Sequence, residues 1–95
     1  MAILPQEQVD AGIRGTAWSH QGDELVLEWQ GADFAAALKF VNRVGELAER
    51  AQHHPDIDIR WNKVRLTLST HAEGGVTSKD IELAHQISEL DNPPS

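Results

Sequence analysis

Cysteine is absent from these 95 residues, which removes disulfide staples, thiolate nucleophiles and zinc–thiolate sites together. Long apolar runs are missing too. No stretch approaches the ~20 residues that span a bilayer. Met1-Ala2-Ile3-Leu4-Pro5 lacks the charged and long apolar regions of a signal peptide, so cytoplasmic residence, away from membranes, is the expectation. Basic residues are scarce: eight Lys and Arg against fifteen Asp and Glu leave a formal charge of −7. A duplex-binding protein needs clustered cations to displace counterions, so nucleic acid is not an expected partner. A small neutral ligand in a pocket is untouched by that argument. Internal repeats, low-complexity segments and linkers are also lacking.

What is present fits a folded chain. Hydrophobic residues make up 40% and charged residues 24%, a balance that fits an ordinary globular protein and not a disordered one. The length predicts one domain over residues 1–95. Such a short chain buries only about 60–65% of the surface its unfolded form exposes, so oligomerisation is a natural way to bury more.

Residues 3–13 carry Leu4, Val9 and Ile13 at loosely helical spacing, with Pro5 tolerated in a first turn and Gly12 and Gly15 as stops. Residues 16–20 and 24–30 read as a hairpin around Gln21-Gly22-Asp23. In its second arm Leu25, Leu27 and Trp29 alternate with Glu24, Val26, Glu28 and Gln30, which predicts one buried and one largely wet face. Asp33 is a candidate N-cap. From Phe34 to Gln52 the period becomes helical: Phe34, Ala37, Leu38, Phe40, Val41, Val44, Leu47, Ala48 and Ala51 form an apolar arc that must lie on a sheet. Pro55 disfavours helical geometry at His54, so the helix is expected to end near His53.

A second hairpin follows over 57–61 and 64–70. An Asn62-Lys63 turn sets Trp61 opposite Val64 and brings both apolar rows to one side. Gly74-Gly75 marks a flexible loop. Thr77 and Asp80 then open a last helix, with Ile81, Leu83, Ala84, Ile87 and Leu90 on its apolar face and residues 91–95 as a frayed tail. The order α-β-β-α-β-β-α predicts an α+β fold, a four-stranded antiparallel sheet with helices packed on one face.

Three of the five histidines fall in one run of about thirty residues that begins at the carboxylate of Glu49 and ends at that of Asp80. Singly, each has an ordinary explanation. His53 suits a helix C-terminus, His54 a loop, His71 a strand end, and Asp80 a helix start. His20 and His85 read as surface residues. Together, His53, His54 and His71 are what a proton-transfer pocket requires, because imidazole exchanges protons near neutral pH. Glu49 and Asp80 are the groups that could fix imidazole tautomers. A metal site competes for the same residues, but adjacent His53 and His54 diverge and the His-Glu-x-x-His spacing is missing. Ser69 and Thr70 precede His71 without a nucleophile elbow around them.

Glu49-x-x-x-His53-His54-Pro55, five residues, Trp61-Asn62-Lys63-Val64, then Leu66-x-Leu68-Ser69-Thr70-His71, eight residues and Asp80: this pattern resembles the signature of the pterin-4a-carbinolamine dehydratases. Trp18 and the Phe40-Val41-Asn42-Arg43 core also look like that family, and the likeness runs from about Trp18 to Leu90. The N-terminal segment is short by comparison, and Ala72-Glu73-Gly74-Gly75 stands where some relatives carry cysteine.

The resemblance implies the same fold and a homodimer or homotetramer. It implies a lyase (a hydro-lyase of tetrahydrobiopterin recycling) that dehydrates 4a-hydroxytetrahydropterin to quinonoid dihydropterin and water. No metal and no organic cofactor is implied, because the adjacent nitrogen expels the hydroxyl. By position, His53, His54, His71 and Asp80 would be catalytic. Glu49, Trp18, Ser69 and Thr70 would bind substrate, the last two through backbone groups. Some relatives also act as binding partners, of a transcription factor dimer or in the assembly of another enzyme, which leaves a non-catalytic dimerisation or assembly role as the alternative.

Overall fold

The structure, a computed structural model, describes residues 2–90; the tail read at 91–95 lies outside them. Helix α1 (Gln6–Gly12) starts after Pro5, whose extended backbone makes it the N-cap and not a first-turn residue. A short strand β1 (Ser19–Gln21) pairs with β2 (Glu24–Gln30) across Gly22-Asp23, where Gly22 supplies a φ of 61°. Helix α2 (Phe34–Ala51), strands β3 (Asp56–Arg60) and β4 (Lys63–Leu68), and helix α3 (Ser78–Leu90) complete the order α-β-β-α-β-β-α. All pairings are antiparallel and the sheet runs β1-β2-β4-β3. This is the expected α+β architecture. Among the described residues, no helix is long and apolar enough to cross a membrane.

The core lies between one sheet face and the helices. Leu25 sits opposite Leu68, Leu27 opposite Leu66 and Trp29 opposite Val64, so the alternation of both central strands delivers one apolar face. Ala37, Phe40, Val44 and Ala48 of α2 and Leu83, Ala84 and Ile87 of α3 cover it. Each fully buried Leu, Val or Ile contributes about 1.5–3 kcal/mol relative to exposure. Trp29 stacks on Phe40 with ring planes 2° apart and centroids 4.4 Å apart. Gly31 makes room for that indole, because a Cβ there would stand 2.4 Å from the ring.

Three readings of the pattern are corrected. The second turn is Trp61-Asn62, not Asn62-Lys63: Arg60 pairs with Lys63, and Ile59, not Trp61, faces Val64. Asn62 is pinned by Gly31, since its Nδ2 donates to the Gly31 carbonyl and its own carbonyl accepts from the Gly31 N–H, both at 2.9 Å. That leaves the left-handed position to Trp61, at φ 52° and 65% exposed. The register slips by two residues, so side chains keep their faces. Second, the apolar arc of α2 is wider than the sheet covers. Phe34 and Leu38 are exposed. Third, Val26 is buried although it lies on the face read as wet.

Candidate active site

Four chain segments meet where α2 ends: the α2–β3 connection, the end of β4, the loop 69–77 and the start of α3. Gln52 closes α2 in the left-handed conformation (φ 51°, ψ 42°). The N–H of His53 then bonds back to the Ala48 carbonyl at 3.1 Å, the six-to-one bond of a Schellman ending. The helix thus stops two residues before the expected His53, and the sharp turn sends His53 and His54 to different partners.

His53 turns inward. Its Nε2 lies 2.5 Å from Asp80 Oδ1, with side-chain exposures of 11% and 0%. His54 turns outward. Its Nε2 lies 2.5 Å from Glu49 Oε2, with exposures of 58% and 73%. Both carboxylates expected to hold imidazoles do so, but Glu49 serves His54 and leaves His53 to Asp80.

Asp80 belongs to the first turn of α3 and is fully buried. Its Oδ2 accepts from the Thr77 N–H at 2.9 Å, the capping interaction read from the sequence, and from the Thr70 hydroxyl at 2.8 Å. The Thr70 and Thr77 hydroxyls are 2.7 Å apart, and Thr77 Oγ1 accepts from the Lys79 N–H at 3.3 Å. No buried side-chain nitrogen or oxygen among the described residues lacks a partner. With Asp80 Oδ1 accepting, the Nε2 of His53 carries a proton and Nδ1 is its open nitrogen.

His71 follows Thr70 directly, in the exposed turn 71–74, and its imidazole makes no hydrogen bond to the described residues. His71 is thus the chain neighbour of the residue whose hydroxyl reaches Asp80. The backbone of Thr70 is occupied. Its N–H donates to the Gly75 carbonyl at 2.8 Å and its own carbonyl accepts from Glu73 and Gly74 at 2.9 Å. Ser69, half-buried between strand end and loop, takes no part in those loop bonds. Among the described residues, no three of the histidine and acidic side chains converge closely enough to hold a metal ion.

A family model described as pterin 4 alpha carbinolamine dehydratase matches residues 2–90. The chain belongs to the pterin-4α-carbinolamine dehydratase family. A relative from Nocardia farcinica named for the same dehydratase is 51% identical over 89 residues, covering 93% of this chain and 94% of its own. One from Roseiflexus castenholzii, named likewise, is 55% identical over 90 residues, 94% of this chain and 97% of its own. Among solved structures, a transcriptional coactivator/pterin dehydratase from Brucella melitensis superimposes with a TM-score of 0.87 at 27% identity, over 93% of this chain and 97% of that one. A pterin dehydratase-like protein identified as a RuBisCO assembly factor shares the fold, with a TM-score of 0.67 at 20% identity over 80% of this chain and 90% of that one. Membership of the dehydratase family makes a pterin the expected kind of substrate.

Within this dehydratase-family fold, Trp18 is held in the core. It is 4% exposed, and its Nε1–H donates to the Ala84 carbonyl, one helical turn beyond Asp80, at 3.1 Å. Two histidines read as surface residues have partners at α1: His20 Nδ1 lies 3.3 Å from Asp10 Oδ1, and His85 Nε2 lies 2.6 Å from the Gly12 carbonyl. The sequence reading missed the Thr70 and Thr77 hydroxyls as partners of the cluster. The only available signal was the pair of threonines flanking a short glycine-containing loop.

Proposed function

We propose that this chain dehydrates a 4a-hydroxytetrahydropterin to the quinonoid dihydropterin and water, using its histidines as acid and base. The observation that carries the reading is the buried pair of His53 and Asp80, with one nitrogen committed and one open. A charged His53 donates from Nδ1 to the 4a-hydroxyl, while its Nε2–H stays on Asp80, whose carboxylate stabilises the imidazolium. The N5 lone pair forms the C4a–N5 double bond as the C4a–O bond breaks, and water leaves. The N5 proton passes to His54 or His71, and exchange with solvent resets both imidazoles. Glu49 steadies His54. Ser69 and Thr70 line the ring's edge, with the Ser69 backbone the better candidate for direct contact, and Trp18 supports the site from within the core. 4a-Hydroxytetrahydrobiopterin is the substrate this reading favours. General acid–base assistance of this kind is typically worth ~10²–10⁴-fold.

The test follows the decay of generated 4a-hydroxytetrahydropterin by ultraviolet absorbance, with the wild-type chain and with His53→Ala. Acceleration by the wild type and a drop of about a hundredfold or more in the variant is the expected outcome. Folded protein that leaves the decay unchanged overturns the proposal.

A second reading is favoured by Phe34, Leu38 and Trp61, three large apolar side chains left exposed. They suit a homodimer or homotetramer, or a binding role beside catalysis of the kind that the double name of the Brucella protein expresses. Sedimentation of the wild type against Phe34→Ser/Leu38→Ser distinguishes self-association from a monomer.

A further inference from the structure

Each threonine hydroxyl owns one proton, and that count orders the network around Asp80. The Thr77 hydroxyl accepts from the Lys79 N–H. An N–H cannot accept in return, so the Thr77 proton must go to Thr70, and the Thr70 proton to Asp80 Oδ2. The opposite direction would start with a proton on Oδ2, which already accepts from the Thr77 N–H. It would end with a Thr77 proton that has no acceptor. The chain of donors therefore runs one way, from Lys79 through Thr77 and Thr70 into Asp80, and makes Oδ2 an acceptor at both of its bonds. As a carboxylate, Asp80 then accepts at Oδ1 from His53.

From this we propose that Thr70 and Thr77 are positioning residues for the dehydration. Their relayed hydroxyls lock the Asp80 carboxylate in the rotamer that holds the His53 proton on Nε2 and presents Nδ1 to the substrate. This rests on the dehydratase reading for its kinetic consequence, but the imidazole tautomer reports it independently. The burial supports the assignment: Asp80 and Thr77 are fully buried, so water does not replace a lost donor cheaply. Partners that orient a metal-bound imidazole through a neighbouring carboxylate or carbonyl typically contribute about ten- to a hundredfold, and the same scale is expected for this metal-free imidazole.

Thr70→Val removes the hydroxyl while keeping the shape. It is expected to lower kcat about ten- to a hundredfold with KM little changed, and Thr70→Ser is expected to restore most of it. In an Asp80→Asn background Thr70→Val is expected to add no further loss, because it acts through Asp80. In ¹⁵N-labelled protein, the His53 ring of the wild type is expected to show a protonated Nε2 and an Nδ1 without a fixed proton, and Thr70→Val to give a mixture of tautomers. Thr77→Val, which also weakens the α3 cap, is expected to shift the same signals less.

An unchanged His53 tautomer in folded Thr70→Val overturns the positioning role, whatever the turnover. Additive losses in the double variant overturn it too. If the wild type shows no dehydration while Thr70→Val still scrambles the tautomer, the positioning stands and the proposed reaction falls.

Discussion

The molecule holds two imidazole–carboxylate pairs of the same length, 2.5 Å, only one residue apart in the chain at their histidines. His53 and Asp80 are shielded from solvent; His54 and Glu49 are largely bathed in it. Geometry alone would rank them equal. Solvent separates them. An exposed pair gains little, because water screens it and holding two mobile side chains costs entropy. A buried pair exists only if every charge and proton is matched, and removing one member leaves the other stranded. Asp80 also caps α3 and accepts from Thr70, whereas Glu49 is a surface residue in the last turns of α2. The first pair is built into the fold and the second rests on it.

The comparison breaks most visibly at Asp80. Asp80→Ala is expected to destabilise the protein by about 3–5 kcal/mol, the typical cost of stranding one member of a buried pair, with the lost cap adding about 1 kcal/mol. Urea unfolding measures it. The milder Asp80→Asn keeps the volume and is expected to lower the dehydration rate by at least a hundredfold, as for other carboxylates that fix a catalytic imidazole. Glu49→Gln is the control: a change in stability within about 0.5 kcal/mol and a rate loss below about tenfold, read in the same assays. An equal loss from both carboxylates would erase the distinction drawn here.

Salt sharpens the contrast further. Raising the ionic strength to about 1 M shortens the screening length to about 3 Å. The ring signals of His54 are then expected to move toward those seen in Glu49→Gln, while those of His53 hold. The smallest effect belongs to chelation. Prolonged dialysis against a strong chelator is expected to leave the dehydration rate unchanged, and a loss recovered by added zinc would revive the metal reading.

The fold was legible where one signal dominated. Alternation in β2 and β4, the apolar arc of α2 and Asp33 as its cap are each local, and Asp33 Oδ1 accepts from the Ala36 N–H at 2.8 Å as a cap should. Legibility failed where a distant partner overrode a local preference. Nothing near Trp61 predicts a left-handed tryptophan, because the cause is Gly31, thirty residues upstream. The site residues could be named from their types and spacing, but their pairing could not. Glu49 and His53 are four apart, the spacing of helical neighbours, yet the helix ends at Ala51 and Gln52 turns the chain away. The hydroxyl relay was invisible for the same reason: Thr70 and Thr77 meet only because a loop folds back between them.

The sheet order has a consequence for how the chain reaches this state. The two hairpins, β1–β2 and β3–β4, close over two-residue turns and can form in microseconds. The central seam between β2 and β4 is different, since Leu25 meets Leu68 across 43 residues (68 − 25). Loop-closure entropy penalises that seam, and α2 is the spacer that shortens the distance to be closed. Docking of preformed hairpins on α2 is then the expected slow step of folding, and the cluster of His53, Thr70 and Asp80, which joins the far end of α2 to the second hairpin and α3, is expected to assemble with it.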